Sequence, residues 1–349
     1  MNSAPGTPGS MTGLVRTVLG DIEPSTLGRV NYHEHLFQRS PLLPEDDLDD
    51  ERRSRDELAL LRNSGFDAMI DATPVGLGRN PEAVSRLSLS TQVTVVATTG
   101  RHRDAHYSDQ AWAQSGNEAL WEKILVHELT CGMAQEDKGY AISDPDRIAV
   151  ARSAHGEPIR AGLLKAGIDY WQISPAEHST LAAVATAYRA TGAPVMVHTE
   201  WCSAAMEVLD LLSKLGVPES RVVIAHADRN PDPGLHSAIA ERGAYLGYDG
   251  AGRHKTWPDS VLLDALTALV NAGYVERILL GADVARRRRY RSYGGLPGLG
   301  YLWEQFPAPN PATHGTRGIA ATDCPESCNL SCLEVTPVSR SPPRARSPK

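Results

Sequence analysis

Six ionisable residues, spread widely along the chain, have side chains that could bind metal ions. They are four histidines, one lysine and one aspartate: His33, His35, Lys165, His198, His226 and Asp283. His33 and His35 have the spacing that places two side chains on the same face of a β-strand. Imidazole nitrogens and a carboxylate oxygen suit Zn²⁺, with Co²⁺, Mn²⁺ or Fe²⁺ as alternatives. These residue types predict a site for divalent metal ions.

Lys165 is the unusual member of this set. A protonated lysine beside two dications would be repelled, so its side chain must be neutral, lie away from the metals, or be converted into an anion. Reaction of the neutral amine with carbon dioxide gives a carbamate, whose two oxygens can bridge two metals. Carbamylation is therefore the interpretation that gives Lys165 a place among metal ligands.

Short apolar runs rich in β-branched residues alternate with longer helical patterns along most of the chain. We interpret eight runs as strands, at 29–33, 66–71, 93–99, 159–165, 194–198, 221–226, 244–248 and 277–283. Helices are predicted at 52–64, 118–131, 178–191, 204–215 and 258–272. Glycine directly follows the helices predicted at 52–64, 178–191, 204–215 and 258–272, as is typical of a helix C-terminus. The alternation indicates parallel strands connected by helices.

Eight such strands fit either an open doubly wound sheet or a closed TIM-type (β/α)8 barrel. In a barrel, side chains from the C-terminal ends of several strands converge at one mouth. Six predicted strands end in an ionisable residue, namely His33, Asp71, Lys165, His198, His226 and Asp283. Each one alone is what an ordinary strand-to-loop junction provides. Their combination favours the barrel, with one active site at its mouth.

The overall composition is that of a soluble globular protein. Of 349 residues, 41% are hydrophobic and 22% are charged, and the formal net charge is −7. This charge predicts no basic surface for nucleic acid or an anionic membrane. No apolar run approaches the roughly 18 residues that a membrane span needs. We therefore expect a small-molecule substrate and neither a nucleic-acid nor a membrane partner.

The two ends of the chain differ in composition from the part between them. Residues 1–13 are rich in Ser, Pro and Gly and lack the apolar segment of a signal peptide, which predicts a flexible leader. Residues 14–306 form the predicted barrel, and 307–349, rich in Pro, Ser, Thr and Arg, are predicted to be a disordered tail. Five cysteines, an odd number, argue against a disulfide framework and favour a cytoplasmic location.

Six longer segments carry a family resemblance. They are TVLGDIEPSTLGRVNYHEHLF (17–37), DATPVGLGRNPE (71–82), IRAGLLKAG (159–167), VMVHTE (195–200), IAHADRNPDPG (224–234) and LLGADVARRRRYRSYGGLPGLGYL (279–302). In this order they resemble the phosphotriesterase family of the amidohydrolase superfamily. The resemblance covers most of residues 14–303.

The resemblance implies a distorted barrel that holds two divalent metal ions and hydrolyses phosphotriesters, lactones or related esters. It implies that His33, His35 and Asp283 bind the more buried metal, and that His198 and His226 bind the more exposed one. A carbamylated Lys165 would bridge the two. A hydroxide that also bridges the metals would attack the substrate, and Asp283 would be the catalytic residue that accepts its proton.

Four residues in the predicted loops are candidates for substrate contact: His102, Arg253, Trp257 and Arg286. His102 lies where the family resemblance predicts an aromatic residue, and the alternative is a histidine on a surface loop. For Trp257 the alternative is packing. Arg286 begins a run of arginines, 286–289, most of which must face water to avoid mutual repulsion. One that turned inward could pair with a carboxylate or phosphate on an anionic ester.

Two other functions stay open at this point. One is a mononuclear amidohydrolase or deaminase with an unmodified Lys165. The other is a catalytically impaired barrel, because the chain after Phe306 loses the helical segment with which family members usually end. A homodimer is left open as the assembly.

Overall fold

A closed ring of eight parallel strands organises the part of the chain that the structure, a computed structural model, describes: residues 13–114 and 117–306. A short antiparallel hairpin precedes the ring, made of β1 (Val15–Thr17) and β2 (Gly20–Ile22). The ring consists of β3 (Val30–Glu34), β4 (Ala68–Asp71), β5 (Thr94–Gly100), β6 (Leu163–Ile168), β7 (Val195–Thr199), β8 (Val222–Ala225), β9 (Tyr245–Tyr248) and β10 (Ile278–Leu280).

Helices follow most of the ring strands along the chain. They are α1 (Glu51–Asn63), α2 (Pro81–Thr91), α3 (Ala111–Gln114), α4 (Glu118–Thr130), α5 (Pro175–Thr191), α6 (Ala205–Lys214), α7 (Pro233–Glu241), α8 (Asp259–Asn271) and α9 (Tyr301–Glu304). Side chains that accept hydrogen bonds from the first turn begin several of them. For α5 this is a complete capping box between Ser174 and Glu177.

Each ring strand pairs in parallel with the next one in sequence, from β3 to β10. The ring closes where the backbone N–H of Asp283, just beyond β10, donates to the carbonyl oxygen of His33 on β3 at 3.0 Å. The arrangement is a TIM-type barrel, as predicted. Within the described residues, no helix is long and apolar enough to cross a membrane.

Two apolar layers hold the barrel together. An inner cluster fills its interior with residues such as Val30, Ile70, Val96, Met196 and Leu279. A larger outer cluster lies between the strands and the surrounding helices. Because the interior is packed with side chains, ligands are left to the C-terminal mouth.

All eight predicted strands are present, but two predictions of their extent were wrong. The fourth was predicted at 159–165 and spans Leu163–Ile168, so Lys165 lies within the strand instead of ending it. The eighth was predicted to run to Asp283 and ends at Leu280. The first error arises because an ionisable residue need not end a strand, and backbone pairing continues from Lys165 to Ile168. The second arises because apolar residues continue to Ala282 after backbone pairing has ended at Leu280.

Some elements lacked a prediction altogether. The β1–β2 hairpin and helices α2 and α7 are examples. Helices α2 and α7 begin at an Asx-Pro pair, Asn80-Pro81 and Asp232-Pro233, whose first side chain accepts hydrogen bonds from the first turn. These pairs are recognisable start signals in sequence. The predicted leader falls, apart from Gly13, outside the described residues, as does the whole of the predicted tail.

Candidate metal centre

All six predicted metal ligands lie together at the C-terminal mouth of the barrel, and all are buried. His33, Lys165 and His198 are on strands β3, β6 and β7, and His35 directly follows β3. His226 and Asp283 lie beyond the ends of β8 and β10 in left-handed backbone conformations, with φ of 64° and 42°. Such conformations are strained for residues other than glycine and concentrate at functional sites.

One set of donor atoms comes from His33, His35 and Asp283. Asp283 Oδ1 is 3.4 Å from His35 Nε2 and 3.9 Å from His33 Nε2, and each of the three residues offers a donor atom within 4.8 Å of the others. The amine of Lys165 lies 3.0 Å from His33 Nε2. A single ion could therefore contact this set, with Lys165 beside it.

A second set lies next to the first. His226 Nε2 is 2.7 Å from His198 Nδ1, so the two nitrogens face the same point. The rings of His226 and His33 are 5.1 Å apart, which makes the two sets neighbours. With two histidines only, this second set needs Lys165 or another group to complete the coordination of an ion.

Backbone packing lets Lys165 approach its neighbours. On β6 it pairs with Gly100 of β5 and with Met196 of β7. Gly100 has φ of 142°, and a Cβ at that position would collide with the carbonyl oxygen of Lys165. Glycine is therefore required at position 100 to keep strand β6, and with it Lys165, in register at the mouth.

Asp249, which was not predicted as a site residue, contacts a histidine of each set. Its Oδ1 lies 2.6 Å from His226 Nδ1 and its Oδ2 lies 3.0 Å from His33 Nδ1. His33, His226 and Asp249 are also close enough together to hold an ion. We interpret them as a hydrogen-bonded cluster, because both distances are those of N–H···O bonds and Asp249 is fully buried.

The two remaining histidines have separate partners. His35 Nδ1 is 2.7 Å from Thr73 Oγ1, which in turn lies 2.8 Å from Asp71 Oδ1. His198 Nε2 is 2.9 Å from Glu200 Oε1. Each partner occupies one ring nitrogen and leaves the other free toward the site, as is usual for metal-binding histidines.

Burial sets the charge state of these side chains. It lowers the pKa values of His33, His35 and His198, and it lowers that of His226 to about 3, so the imidazoles are neutral near pH 7. Neutral imidazole is the form that binds metal. Burial also lowers the pKa of Lys165 to about 8, against the opposing influence of Asp283. About a tenth of the amine is therefore neutral at pH 7, far more than for an ordinary lysine.

The two oxygens of Asp283 face different groups. Oδ1 faces the histidines, whereas Oδ2 accepts a hydrogen bond from Arg253 and another from Arg229 at 3.3 Å. Burial alone would raise the pKa of Asp283, but Arg253 and the histidines hold it well below its usual value. The carboxylate is thus ionised, with one oxygen directed at the first donor set.

The loop after β5 brings His102 to the second donor set. Its ring lies 4.4 Å from that of His198 and 3.9 Å from that of His106. His102 is buried, so the alternative of a surface histidine is wrong. Burial lowers the pKa of His106 to about 3, and Ser40 Oγ lies 2.8 Å from its Nδ1. The three imidazoles, which contact one another at tilted angles, form a neutral wall of the site.

A pocket of about 140 Å³ opens beside the centre. Arg229 and Arg253 line it together with the indoles of Trp201 and Trp257. Trp257 is 37% exposed, and its Nε1 donates to the carbonyl oxygen of Arg229 at 3.1 Å. Of the candidates for substrate contact, Arg253 and Trp257 thus share one pocket wall.

The arginine run divides into exposed and half-buried members. Arg287 and Arg288 are exposed, whereas Arg286 and Arg289 are half-buried. Arg286 Nη1 is 3.9 Å from Asp46 Oδ2, while Arg289 has no carboxylate within salt-bridge distance among the residues described. Burial and the nearby charges of Arg253 and Arg286 lower the pKa of Arg289 to about 10. Within the described part of the chain, Arg289 is thus a cation without a matching anion.

The sequence profile of the phosphotriesterase family matches residues 13–142 and 148–312. This chain belongs to that family. The barrel and its clustered histidines therefore belong to a family of metal-dependent hydrolases.

Named members of the family are similar along most of their length. A phospho-furanose lactonase from Mycoplasmopsis synoviae is 29% identical over 307 residues, covering 83% of each chain. An N-acetyltaurine hydrolase from Danio rerio is 29% identical over 330 residues, covering 82% of this chain and 88% of its own.

A solved structure of a lactonase from Listeria monocytogenes superimposes with a TM-score of 0.72 at 28% identity, covering 84% of this chain and 89% of that one. The relatives are lactonases and other hydrolases, which makes this family member a hydrolase.

Proposed function

We propose that this protein is a dinuclear metal-dependent hydrolase that opens lactones or related esters bearing an anionic group. The observation that carries the proposal is the presence of two adjoining sets of neutral histidine donors. In the first, Asp283 Oδ1 is 3.4 Å from His35 Nε2, and in the second, His198 Nδ1 is 2.7 Å from His226 Nε2. One set would hold each metal.

The donor set fits two divalent cations if Lys165 is carbamylated. A protonated Lys165 Nζ only 3.0 Å from His33 Nε2 would oppose a cation there. With its pKa near 8, the amine is sufficiently deprotonated to react with carbon dioxide, and the product is an anion with two oxygens. Nitrogen and oxygen donors of this kind favour Zn²⁺, with Co²⁺, Mn²⁺ or Fe²⁺ able to replace it.

Metal ions bound here would supply an activated water and polarise the carbonyl or phosphoryl oxygen of the substrate. Asp283 is the residue that we propose accepts the proton released during attack. Arg253 and Arg229 hold its Oδ2, so the carboxylate keeps one orientation while Oδ1 faces the histidines. His102 and Trp257 would border the substrate on either side of the mouth.

The cationic side chains at the mouth support the proposal that the substrate carries an anionic group. Arg289 is half-buried and lacks a carboxylate partner among the described residues, and Arg286 lies beside it with its nearest carboxylate oxygen 3.9 Å away. A guanidinium in this state gains most from a phosphate or carboxylate, which it can bind through two parallel hydrogen bonds. Two relatives are named for anionic substrates, a phosphorylated furanose lactone and N-acetyltaurine, a sulfonate.

A second candidate is hydrolysis of an amide. It is favoured by the N-acetyltaurine hydrolases among the relatives, of which the one from Danio rerio has the same identity to this chain, 29%, as the lactonase from Mycoplasmopsis synoviae. The chemistry requires the same attack on a carbonyl carbon, so the substrate and the metal content separate the two candidates.

Metal analysis combined with an activity screen tests the proposal. The purified protein, loaded with Zn²⁺, Co²⁺ or Mn²⁺, is offered phosphorylated aldonolactones, neutral lactones, neutral phosphotriesters and N-acyl aminosulfonates. We expect about two metal equivalents, fastest turnover of an anionic lactone and loss of turnover with a chelator. One equivalent and amide turnover would support the second candidate. Retained metal without turnover of any substrate would indicate an impaired barrel.

A further inference from the structure

We propose that Asp249 is a positioning residue that couples the two metal positions, because its one carboxylate orients a histidine of each donor set. The inference rests on the proposed dinuclear function. It concerns how the chain holds its ligands and assigns Asp249 no contact with substrate.

The carboxylate of Asp249 leaves the two histidines a single tautomer. Its Oδ1 is 2.6 Å from His226 Nδ1, and its Oδ2 is 3.0 Å from His33 Nδ1. An ionised carboxylate only accepts hydrogen bonds, so both Nδ1 atoms must carry the proton. The Nε2 atoms of both rings then keep their lone pairs. These are the atoms that face Lys165 Nζ and His198 Nδ1, respectively.

The carboxylate itself is held rigidly. It follows directly on β9, is fully buried, and also accepts from the hydroxyl of Tyr32 and from the backbone N–H of His226 at 3.3 Å. Tyr32 can lie there because residue 247 is glycine, and a Cβ at that position would collide with the Tyr32 hydroxyl. With its donors on several sides, the carboxylate has no freedom to serve one histidine at a time.

The other orienting groups each serve one histidine only. Thr73 Oγ1 contacts His35 in the first set at 2.7 Å, and Glu200 Oε1 contacts His198 in the second set at 2.9 Å. Loss of either should weaken one metal position. Loss of Asp249 should weaken both, because His33 and His226 would no longer be held with Nε2 unprotonated. The chain thus provides its own matched controls.

The test compares Asp249→Asn and Asp249→Ala with Thr73→Val, Glu200→Ala and Tyr32→Phe. Metal-free proteins are titrated with Co²⁺ and followed by its visible absorption, and metal content after dialysis is measured by mass spectrometry. For either Asp249 variant we expect both Co²⁺ dissociation constants to rise about 10- to 100-fold, the usual effect of removing an outer hydrogen-bond partner. Thr73→Val and Glu200→Ala should each weaken one equivalent, and Tyr32→Phe should retain both.

A measurement without metal separates this inference from the proposed function. Long-range ¹H–¹⁵N spectra of the imidazoles in the metal-free wild-type protein should show His33 and His226 protonated at Nδ1, and Asp249→Asn should change both signals. If wild-type protein bound one equivalent while the spectra were as expected, the dinuclear function would fail and the orienting role of Asp249 would stand. A folded Asp249→Asn protein that weakened one equivalent or none would overturn the coupling, as would an Nε2–H tautomer at either histidine.

Discussion

The barrel mouth has two parts that are built in different ways. We call the six predicted metal ligands and their hydrogen-bond partners the floor, and the exposed side chains of the surrounding loops, such as Trp201, Trp257 and Arg289, the rim. On the floor, each of the four histidines is buried and its outer ring nitrogen has a polar partner, in Asp249, Thr73 or Glu200. On the rim, Trp201 is 44% exposed and Trp257 is 37% exposed, and Arg289 lacks a carboxylate partner among the described residues. The outer nitrogens of the floor histidines are hydrogen-bonded before any ligand binds, whereas the rim keeps a cation without a carboxylate partner among the described residues.

This difference separates the chemistry from the choice of substrate. Floor residues lie on strands or within three residues of a strand end, so the barrel itself sets their geometry. Rim residues lie on the loops after β7, β8, β9 and β10, which can change without disturbing the sheet. We therefore expect floor substitutions to abolish turnover of every substrate and rim substitutions to change the preference among substrates.

The largest effect should come from Asp283→Ala on the floor. It removes a proposed ligand and leaves Arg253 and Arg229 without their carboxylate. Each loss of about 1.4 kcal/mol in transition-state stabilisation lowers the rate tenfold. Because removal of a metal ligand should cost several kcal/mol, kcat should fall at least about 1000-fold for all substrates. Steady-state kinetics on an anionic and a neutral lactone measure this. Unequal losses for the two lactones would mean that the floor also selects substrate.

Arg289→Met tests the rim. It removes the half-buried cation, so KM for a phosphorylated lactone should rise about 10- to 100-fold, corresponding to a charged hydrogen bond of about 1.5–3 kcal/mol. The kinetics of a neutral lactone should not change. Arg287→Met is the control, because Arg287 is exposed and lies over the ring of Tyr293 at 5.1 Å. Equal effects of the two substitutions would exclude a specific anion site at Arg289.

The imidazole wall between floor and rim should make stability depend on pH. His106 has its pKa lowered to about 3 by burial, against an ordinary value of about 6.5, so the unfolded chain binds a proton that the folded chain excludes. Its contribution to stability is complete above about pH 6.5 and is lost as the pH falls from there toward about 3. At pH 5 the loss relative to pH 7 is about 2 kcal/mol.

Urea unfolding of the metal-free wild-type protein and of His106→Gln at pH 7 and pH 5 measures this contribution. Glutamine keeps a polar partner for Ser40 but does not titrate. Between pH 7 and pH 5, the free energy of unfolding should decrease by about 2 kcal/mol more in the wild-type protein than in His106→Gln. Equal drops in the two proteins would show that His106 is not buried in its neutral form.

The smallest expected effect is that of Trp201→Ala. Trp201 lines the pocket but is 44% exposed, so removing its indole should reduce kcat/KM about three- to tenfold, and most for substrates with an apolar side group. Trp303→Ala is a matched control, since Trp303 is 37% exposed and stacks on Arg29, which precedes β3 at the opposite end of the barrel. A similar loss in both variants would indicate a general effect of surface tryptophans.

Sequence alone predicted the positions of the candidate ligands much better than the hydrogen bonds that orient them. Five of the six ligand candidates end a predicted strand, so periodicity was enough to place them together at the mouth, and Lys165 lies there although its strand continues to Ile168. Asp249 directly follows the strand predicted at 244–248, one position beyond the place that the ligand candidates occupy on their strands, and it was not predicted as a site residue. Its role depends on contacts with His33 and His226, residues 216 and 23 positions away, and periodicity carries no information about such contacts.

The sequence predicted some of the rim residues from their type, but it did not predict which other side chains surround them. Arg253 and Trp257 were candidates and line the pocket, whereas Trp201 and Arg229 were missed. Their positions follow from the left-handed turns at Trp201 and His226, with φ of 58° and 64°. Residues other than glycine seldom adopt such turns, and for a bulky residue such as Trp201 the sequence gives no signal of one.

The contact of Asp283 with two arginines has a consequence for how the protein matures. A cluster of ligands usually needs its metals to offset the charge of its carboxylates, and many metal sites are therefore unfolded without them. Here the guanidiniums of Arg253 and Arg229 already neutralise Asp283, and the Asp249 carboxylate is stabilised by hydrogen bonds from His33, His226 and Tyr32. The two arginines thus balance the charge of Asp283 when no metal is bound. The barrel would then fold before it binds metal, and the availability of metal ions would determine when the folded protein becomes active.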